Sequence, residues 1–137
     1  MRSRTAKLIG IGLLLAGCGS ETMAPAVPFV GVAGAGIKAE IVGVAPASDG
    51  YQFKVTETNL DVTSLPFDGT CDWGVDQLVD GTWVSLYRMI RPCYSSEVSL
   101  APGQVLPQTL AAKTPGLPAG TQLRVWTGSH TTAPITL

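Results

Sequence analysis

The stretch that decides the fold runs from residue 73 to residue 90 and reads WGVDQLVDGTWVSLYRMI. Asp80-Gly81 stands at its centre, and this pair readily takes the positive φ angles of a type I′ two-residue turn. Strand-forming residues lie on both sides of it, so residues 73–79 and 82–90 are predicted to pair as a β-hairpin. The register set by this turn places Cys71 opposite Ile90.

The rest of the chain also reads as short strands separated by turns. Tyr51, Phe53 and Val55 alternate with polar residues, which is the pattern of a strand with one face on a core and one in water. The other predicted strands are residues 37–44, 62–67, 97–100, 105–112, 121–127 and 133–137. No window offers a convincing helix. We therefore expect an all-β, two-sheet sandwich of about seven to nine strands.

The first 17 residues form an export signal. Arg2, Arg4 and Lys7 precede an apolar run over residues 8–15, and small residues stand before Cys18. The run is too short to span a bilayer, which needs roughly 20 apolar residues. An ordinary secretory signal cut near Cys18, or a short buried helix, is the alternative interpretation.

Leu15-Ala16-Gly17-Cys18 resembles the lipobox of bacterial lipoproteins. The resemblance implies cleavage before Cys18, a thioether-linked diacylglycerol on its sulfur and usually an amide-linked acyl chain such as palmitate. Two or more chains would hold the protein on a membrane. The expected location is the cell envelope, and Gly19 is compatible with the outer membrane if the source has two membranes.

The mature chain contains one small domain and a tether. Residues 18–36 are rich in small residues and proline and are predicted to be flexible, and residues 37–137 form the domain; Phe29 to Val32 could instead dock as a first strand. Removing the signal leaves six basic against ten acidic side chains, a formal charge of −4. This charge argues against nucleic acid as a partner and leaves the lipid as the contact with the membrane.

The cysteine count favours an oxidising compartment, because lipid on Cys18 leaves Cys71 and Cys93 as an even pair. A disulfide between them would clasp the open end of the hairpin and stabilise the fold by about 3 kcal/mol. The alternative is a metal site, but two thiols and His130 fall short of a tetrahedral zinc set, so no metal is expected.

The turns resemble those of a group of bacterial immunoglobulin-like domains that includes a type named after an intracellular proteinase inhibitor. The motifs are Asp80-Gly81-Thr82-Trp83, Leu100-Ala101-Pro102-Gly103-Gln104, Leu117-Pro118-Ala119-Gly120-Thr121 and Leu123-Arg124-Val125. The resemblance covers roughly residues 37 to 130 and implies an immunoglobulin-like sandwich. The matching motifs form turns rather than a binding or active site, so the resemblance assigns no inhibitory residue to this chain.

Two polar constellations could indicate a site. Asp72, Asp76 and Asp80 recur every four residues, but on a strand successive members lie about 13 Å apart, too far for one calcium ion. Asp68 and Asp72 could still meet across the loop between them. Ser64 or Ser129 with His130 could suggest a hydrolytic triad, but no nucleophile elbow is present and a surface histidine is the preferred interpretation.

The aromatic residues suggest a binding surface. If Leu123 and Val125 face the core, Arg124 and Trp126 point outward. If Val84 and Leu86 face the core, Trp83 and Tyr87 also point outward. Sugars or proteins could bind such a face. The preferred of the two alternatives is that Trp83 or Trp126 is the core tryptophan of the sandwich, with the alternation read one residue out.

The sequence therefore predicts a lipid-anchored, non-catalytic binding or structural module with no cofactor and an envelope protein or glycan as partner. One rival is a proteinase inhibitor, for which residues 88–92 (Arg88-Met89-Ile90-Arg91-Pro92) would be the exposed loop. The other is a small hydrolase or a calcium-binding protein, either of which would need converging polar groups.

Overall fold

The computed structural model describes residues 27–67, 71–90 and 98–137, and in these ranges the chain is all-β. None of the described segments is a helix that could span a membrane. Ten strands are present: β1 (Ile37–Ala47), β2 (Gly50–Asn59), β3 (Leu65–Phe67), β4 (Asp72–Val79), β5 (Thr82–Ile90), β6 (Val98–Leu100), β7 (Val105–Lys113), β8 (Gln122–Thr127), β9 (His130–Thr131) and β10 (Ile135–Thr136).

The strands form two main antiparallel sheets and one small pair, which confirms the predicted sandwich. The first sheet has the order β1-β2-β7 and the second has the order β10-β8-β4-β5, while β3 pairs with β6. β9 also pairs with β8, so the C-terminal edge of the second sheet consists of two short strands. This division is one reason why the strands number ten rather than seven to nine.

The core lies between the two main sheets and follows the alternation of the strands. The first sheet contributes the buried side chains of Phe53 and Val55 on β2. The second sheet contributes Val75, Leu123 and Val125, which are fully buried. Removing each such side chain from water stabilises the fold by roughly 1.5–3 kcal/mol. Alternate residues of β2, β4 and β8 are thereby committed to the core, so the residues between them face outward.

The β4–β5 hairpin has the predicted turn but only half of the predicted register. Asp80 and Gly81 have φ angles of 48° and 77°, as a type I′ turn requires. Pairing follows the turn as far as Asp76 opposite Ser85, after which Val75 pairs with Tyr87. Leu86 is therefore the extra residue of a β-bulge.

The bulge corrects the predicted register beyond Leu86. Asp72, not Cys71, stands opposite Ile90. A bulge adds one residue to one strand only, so every side chain after it on β5 points to the opposite face from that expected by simple alternation.

A polar turn replaces the first half of the strand predicted over residues 62–67. The Asn59 side-chain oxygen accepts a hydrogen bond from the Asp61 backbone N–H (2.9 Å), and Asp61 Oδ1 accepts one from the Thr63 backbone N–H (3.1 Å). Such local side-chain bonds compete with strand pairing. β3 accordingly begins only at Leu65.

Residues 29–36, assigned to the tether from the sequence, lie against the domain. The Val32 N–H donates to the Leu60 carbonyl (2.9 Å), and the Gly34 N–H donates to Asp61 Oδ2 (2.7 Å). The Phe29 ring packs on Gly103, where an added Cβ would lie 2.6 Å from the ring. Residues 27 and 28 come directly before this docked segment.

Candidate functional site

The outward face of the second sheet carries the main cluster of aromatic and charged side chains. Arg124 and Trp126 alternate with the fully buried Leu123 and Val125, so they point away from the core. Directly opposed residues of antiparallel strands share a face. Gly74 pairs with both Trp126 and Arg88, and Asp76 pairs with Arg124.

Trp126 lies across the sheet on a glycine. A Cβ added to Gly74 would stand 2.5 Å from Cζ2 of Trp126, so only glycine leaves room for the indole at this position. The Arg88 guanidinium carbon lies over the same ring, 5.1 Å from its centroid. The indole is therefore held between the β4 backbone and a cation.

Arg124 forms the second cation–π contact. Its guanidinium carbon lies 4.5 Å from the centroid of the Trp83 ring, and its Nε donates to Asp76 Oδ2 at 2.9 Å. The Asp76 side chain is 15% exposed and that of Arg124 is 31% exposed, so the ion pair is partly shielded from water. Two contacts thus fix the position of Arg124.

We call this surface the Arg–Trp face. It consists of Gly74, Asp76, Trp83, Arg88, Arg124 and Trp126. Three of the four residues suggested from the sequence, Trp83, Arg124 and Trp126, lie on it.

Tyr87 lies on the other side of the sheet. It pairs with the buried Val75, and its ring centroid is 5.1 Å from that of Trp73. The bulge at Leu86 causes this reversal and brings Arg88 to the Arg–Trp face in its place. Trp73, which is buried, is the tryptophan of the core, so the alternative that Trp83 or Trp126 fills it is wrong.

The three aspartates considered as calcium ligands, Asp72, Asp76 and Asp80, do not form a cluster. Asp72 and Asp76 lie on β4 and Asp80 in the turn, and Asp76 is paired with Arg124. In the part of the chain that the structure describes, no group of three or more acidic, histidine or cysteine residues could hold a metal ion. The alternative that Asp68 and Asp72 meet across the loop involves Asp68, which lies outside the described residues.

His130 is half-buried rather than on the open surface. Its ring centroid lies 5.8 Å from that of Phe67, and its Nδ1 is buried without a hydrogen-bond partner. No serine hydroxyl therefore contacts that nitrogen. A cleft of about 590 Å³ adjoins it, with Ser129 and His130 on one side and residues 37–40 on the other.

Glu57 is a buried polar residue that no motif in the sequence indicates. It is fully buried on the core side of β2, and the Gln108 side chain donates to its Oε2 at 3.1 Å. Its Oε1 has no hydrogen-bond partner. Burial raises the pKa of Glu57, against the opposing effects of Gln108, Thr127 and His130. The signal was present in the sequence, because Glu57 continues the inward series of Phe53 and Val55.

The segment considered for proteinase inhibition does not begin as a loop. Arg88, Met89 and Ile90 are the last residues of β5, and Arg88 is stacked on Trp126. Arg91 and Pro92 lie outside the described residues.

The other cysteine predictions also fall partly outside the described ranges. Cys71 is disulfide-bonded. Its predicted partner Cys93 and the predicted lipidation site Cys18 both belong to the ranges that the structure does not describe.

No known protein family, curated protein or solved structure matches this chain. The site is therefore interpreted from its own chemistry.

Gly74→Ala should disrupt the Arg–Trp face. The new methyl group would overlap the Trp126 ring and force it off the sheet, at a cost of about 1–3 kcal/mol in the free energy of unfolding. Gly116→Ala is the control, because no atom lies within 4 Å of a Cβ built there. Urea denaturation followed by tryptophan fluorescence measures both. Equal stability of the two variants would contradict the packing of Trp126 on Gly74.

Glu57→Gln should make the protein relatively more stable as the pH rises. A carboxyl whose pKa is raised on folding contributes stability at low pH that is lost as the pH passes above its ordinary value of 4.5 and through the raised value. The amide has no such loss, so the difference in unfolding free energy between variant and wild type should grow with pH.

Glu40→Gln is the matched control, since Glu40 is exposed and pairs with Lys38 on the same sheet. Urea denaturation over a series of pH values gives both differences. A Glu57→Gln difference that is independent of pH, or that shrinks as the pH rises, would contradict the buried, proton-binding carboxyl.

Proposed function

We propose that this protein is a lipid-anchored, extracytoplasmic binding module of the cell envelope that uses the Arg–Trp face as its binding surface and performs no catalysis. The anchor is the lipid predicted on Cys18. The observation that carries the proposal is the pair of arginine–tryptophan stacks on the outward face of the second sheet.

The composition of the Arg–Trp face supports recognition. Tryptophan and arginine are the residues that most often dominate the binding energy of interfaces, because each combines a large contact area with polar groups that find partners. Both tryptophans and Arg124 are half-buried, while Arg88 is exposed.

The chemistry of the face suits binding better than proton transfer. A guanidinium offers N–H donors and no acceptor atom, which suits Arg88 and Arg124 to the binding of acidic groups. Asp76, the carboxylate among them, is engaged by Arg124 Nε. Preformed contacts of this kind lower the entropy lost when a partner binds.

The tether supports a position close to the membrane. Phe29 is held on Gly103, and only ten residues separate it from Cys18. Fully extended, that length reaches at most about 40 Å. The Arg–Trp face would therefore meet partners within the envelope layer next to the anchored leaflet.

The anchor and the disulfide are tested together by the intact mass of the protein purified from the membranes of its host. We expect a chain that begins at Cys18 and carries acyl groups, with two thiols that react with an alkylating reagent only after reduction. A cleaved chain without acyl groups would contradict the predicted lipid anchor. Thiols that react before reduction would contradict the predicted Cys71–Cys93 disulfide.

The binding surface is tested by hydroxyl-radical footprinting of the protein in intact envelopes and after purification. Trp83 and Trp126 should be oxidised several-fold more slowly in the envelope, because a bound partner would cover them. Tyr51 of the first sheet is the internal reference and should react equally in both samples. Equal oxidation of Trp83 and Trp126 in the two samples would contradict the proposed surface.

A further inference from the structure

At the Arg88–Trp126 stack, the outermost group of the Arg–Trp face is a guanidinium group rather than an indole ring. Arg88 is exposed, whereas the Trp126 ring over which it lies is half-buried and rests on Gly74. A partner that approaches the second sheet therefore meets cationic nitrogen–hydrogen donors first. This order of layers favours an anionic partner over an apolar one.

Both guanidinium groups keep donors to spare. Arg124 donates its Nε–H to Asp76 and forms no other ion pair or side-chain hydrogen bond with a described residue. Arg88 forms neither kind of contact with the described residues. A guanidinium has five N–H donors in a rigid fork that matches the two oxygens of a carboxylate. Stacking on the rings holds these forks in place, which lowers the entropy cost of binding.

The local charge of the face is opposite to that of the whole mature chain. The face carries two arginines and one aspartate, whereas residues 18–137 carry six basic and ten acidic side chains. An anionic ligand is therefore repelled by most of the molecule and attracted to this surface.

The shape of the face favours an extended ligand. Arg88 lies on β5 and Arg124 on β8, with β4 between them and an offset of two residues along the strands. Ordinary strand spacing and rise put their Cα atoms about 12 Å apart. A chain that carries negative charges at intervals can therefore contact both arginines along this diagonal.

The backbone of the sheet argues for a glycan rather than a peptide. β4, the central strand of the face, is paired on both sides, with β5 and with β8. Among the described strands, the outer edge of β5 could pair with a peptide, but this edge lies beside the face rather than on it. The face can offer only side-chain contacts: guanidinium forks, the Asp76 carboxylate and the uncovered parts of two indoles. These are the groups that bind sugar acids, hydroxyls and the C–H faces of sugar rings.

We propose that the Arg–Trp face binds an anionic polysaccharide, whose acidic groups pair with Arg88 and Arg124. This inference rests on the proposed function, since it names the ligand class of the same surface.

The test measures binding of the full-length lipidated protein in detergent to carboxymethyl-dextran and to unmodified dextran by titration calorimetry. The two polymers share a backbone and differ in carboxylate groups. We expect binding to carboxymethyl-dextran that weakens as salt is raised, and no binding to dextran. Arg88→Gln should reduce the affinity about tenfold, which is the loss of one charged hydrogen-bonded contact. Lys54→Gln, which removes the same charge from the first sheet, should leave the affinity unchanged.

Four results would overturn the proposal. They are equal binding of dextran, equal effects of Arg88→Gln and Lys54→Gln, binding of poly-L-glutamate with the same affinity and the same dependence on Arg88, and no binding of carboxymethyl-dextran. If Trp83 and Trp126 are nevertheless protected in envelopes, the face remains a binding surface and only the ligand class is wrong. If they are not protected, the proposed function fails as well.

Discussion

The bulge at Leu86 determines which side chains the second sheet presents on each side. Before the bulge, Trp83 and Ser85 lie on the outward face; after it, Arg88 does, and Tyr87 and Met89 pack towards the core. Without the extra residue, alternation would bury the Arg88 guanidinium and expose the Tyr87 ring. A charge placed in the core without a partner costs several kcal/mol, so the bulge and the identity of residues 87 and 88 depend on each other.

The same constraint explains the use of tryptophan in the second sheet. Trp73 fills the core beside Tyr87, while Trp126 and Trp83 form the stacks of the outward face. Gly74 separates these two environments, because it lets the Trp126 ring approach the β4 backbone. Each exposed cation–π contact contributes only about 0.5–1 kcal/mol. The stacks are therefore better understood as devices that orient guanidinium groups than as major sources of stability.

Local sequence signals predicted most of the strands, and long-range packing accounts for what they missed. Asp80-Gly81 revealed the hairpin because its turn type depends on two adjacent residues. The bulge at Ser85-Leu86-Tyr87 has no comparable sequence signal, because these residues are as typical of a regular strand as of a bulge and only the register changes. The extra residue Leu86 explains why Tyr87, which simple alternation places on the outward face, lies on the core side, and why Arg88 lies on the outward face. The apolar character of residues 29–32 allows them to dock, but the position of Phe29 on Gly103 depends on residues far apart in sequence and could not be predicted.

Polar burial distinguishes the end of the sandwich where residues 29–36 dock. Asn59 is satisfied there, because its side chain donates to the Thr63 and Leu100 carbonyls and accepts from Asp61. Glu57 and Thr127, both fully buried, each retain an oxygen with no partner. A sandwich of this size gains stability from a continuous apolar core, and an incompletely bonded carboxyl opposes that gain. The Asn59 network and the docked N-terminal segment supply hydrogen bonds at this end, and the docked segment sets the point where the tether leaves the domain. The proposed binding face lies on the side of the second sheet and shares no residue with that network, so a partner could engage it without displacing the docked segment.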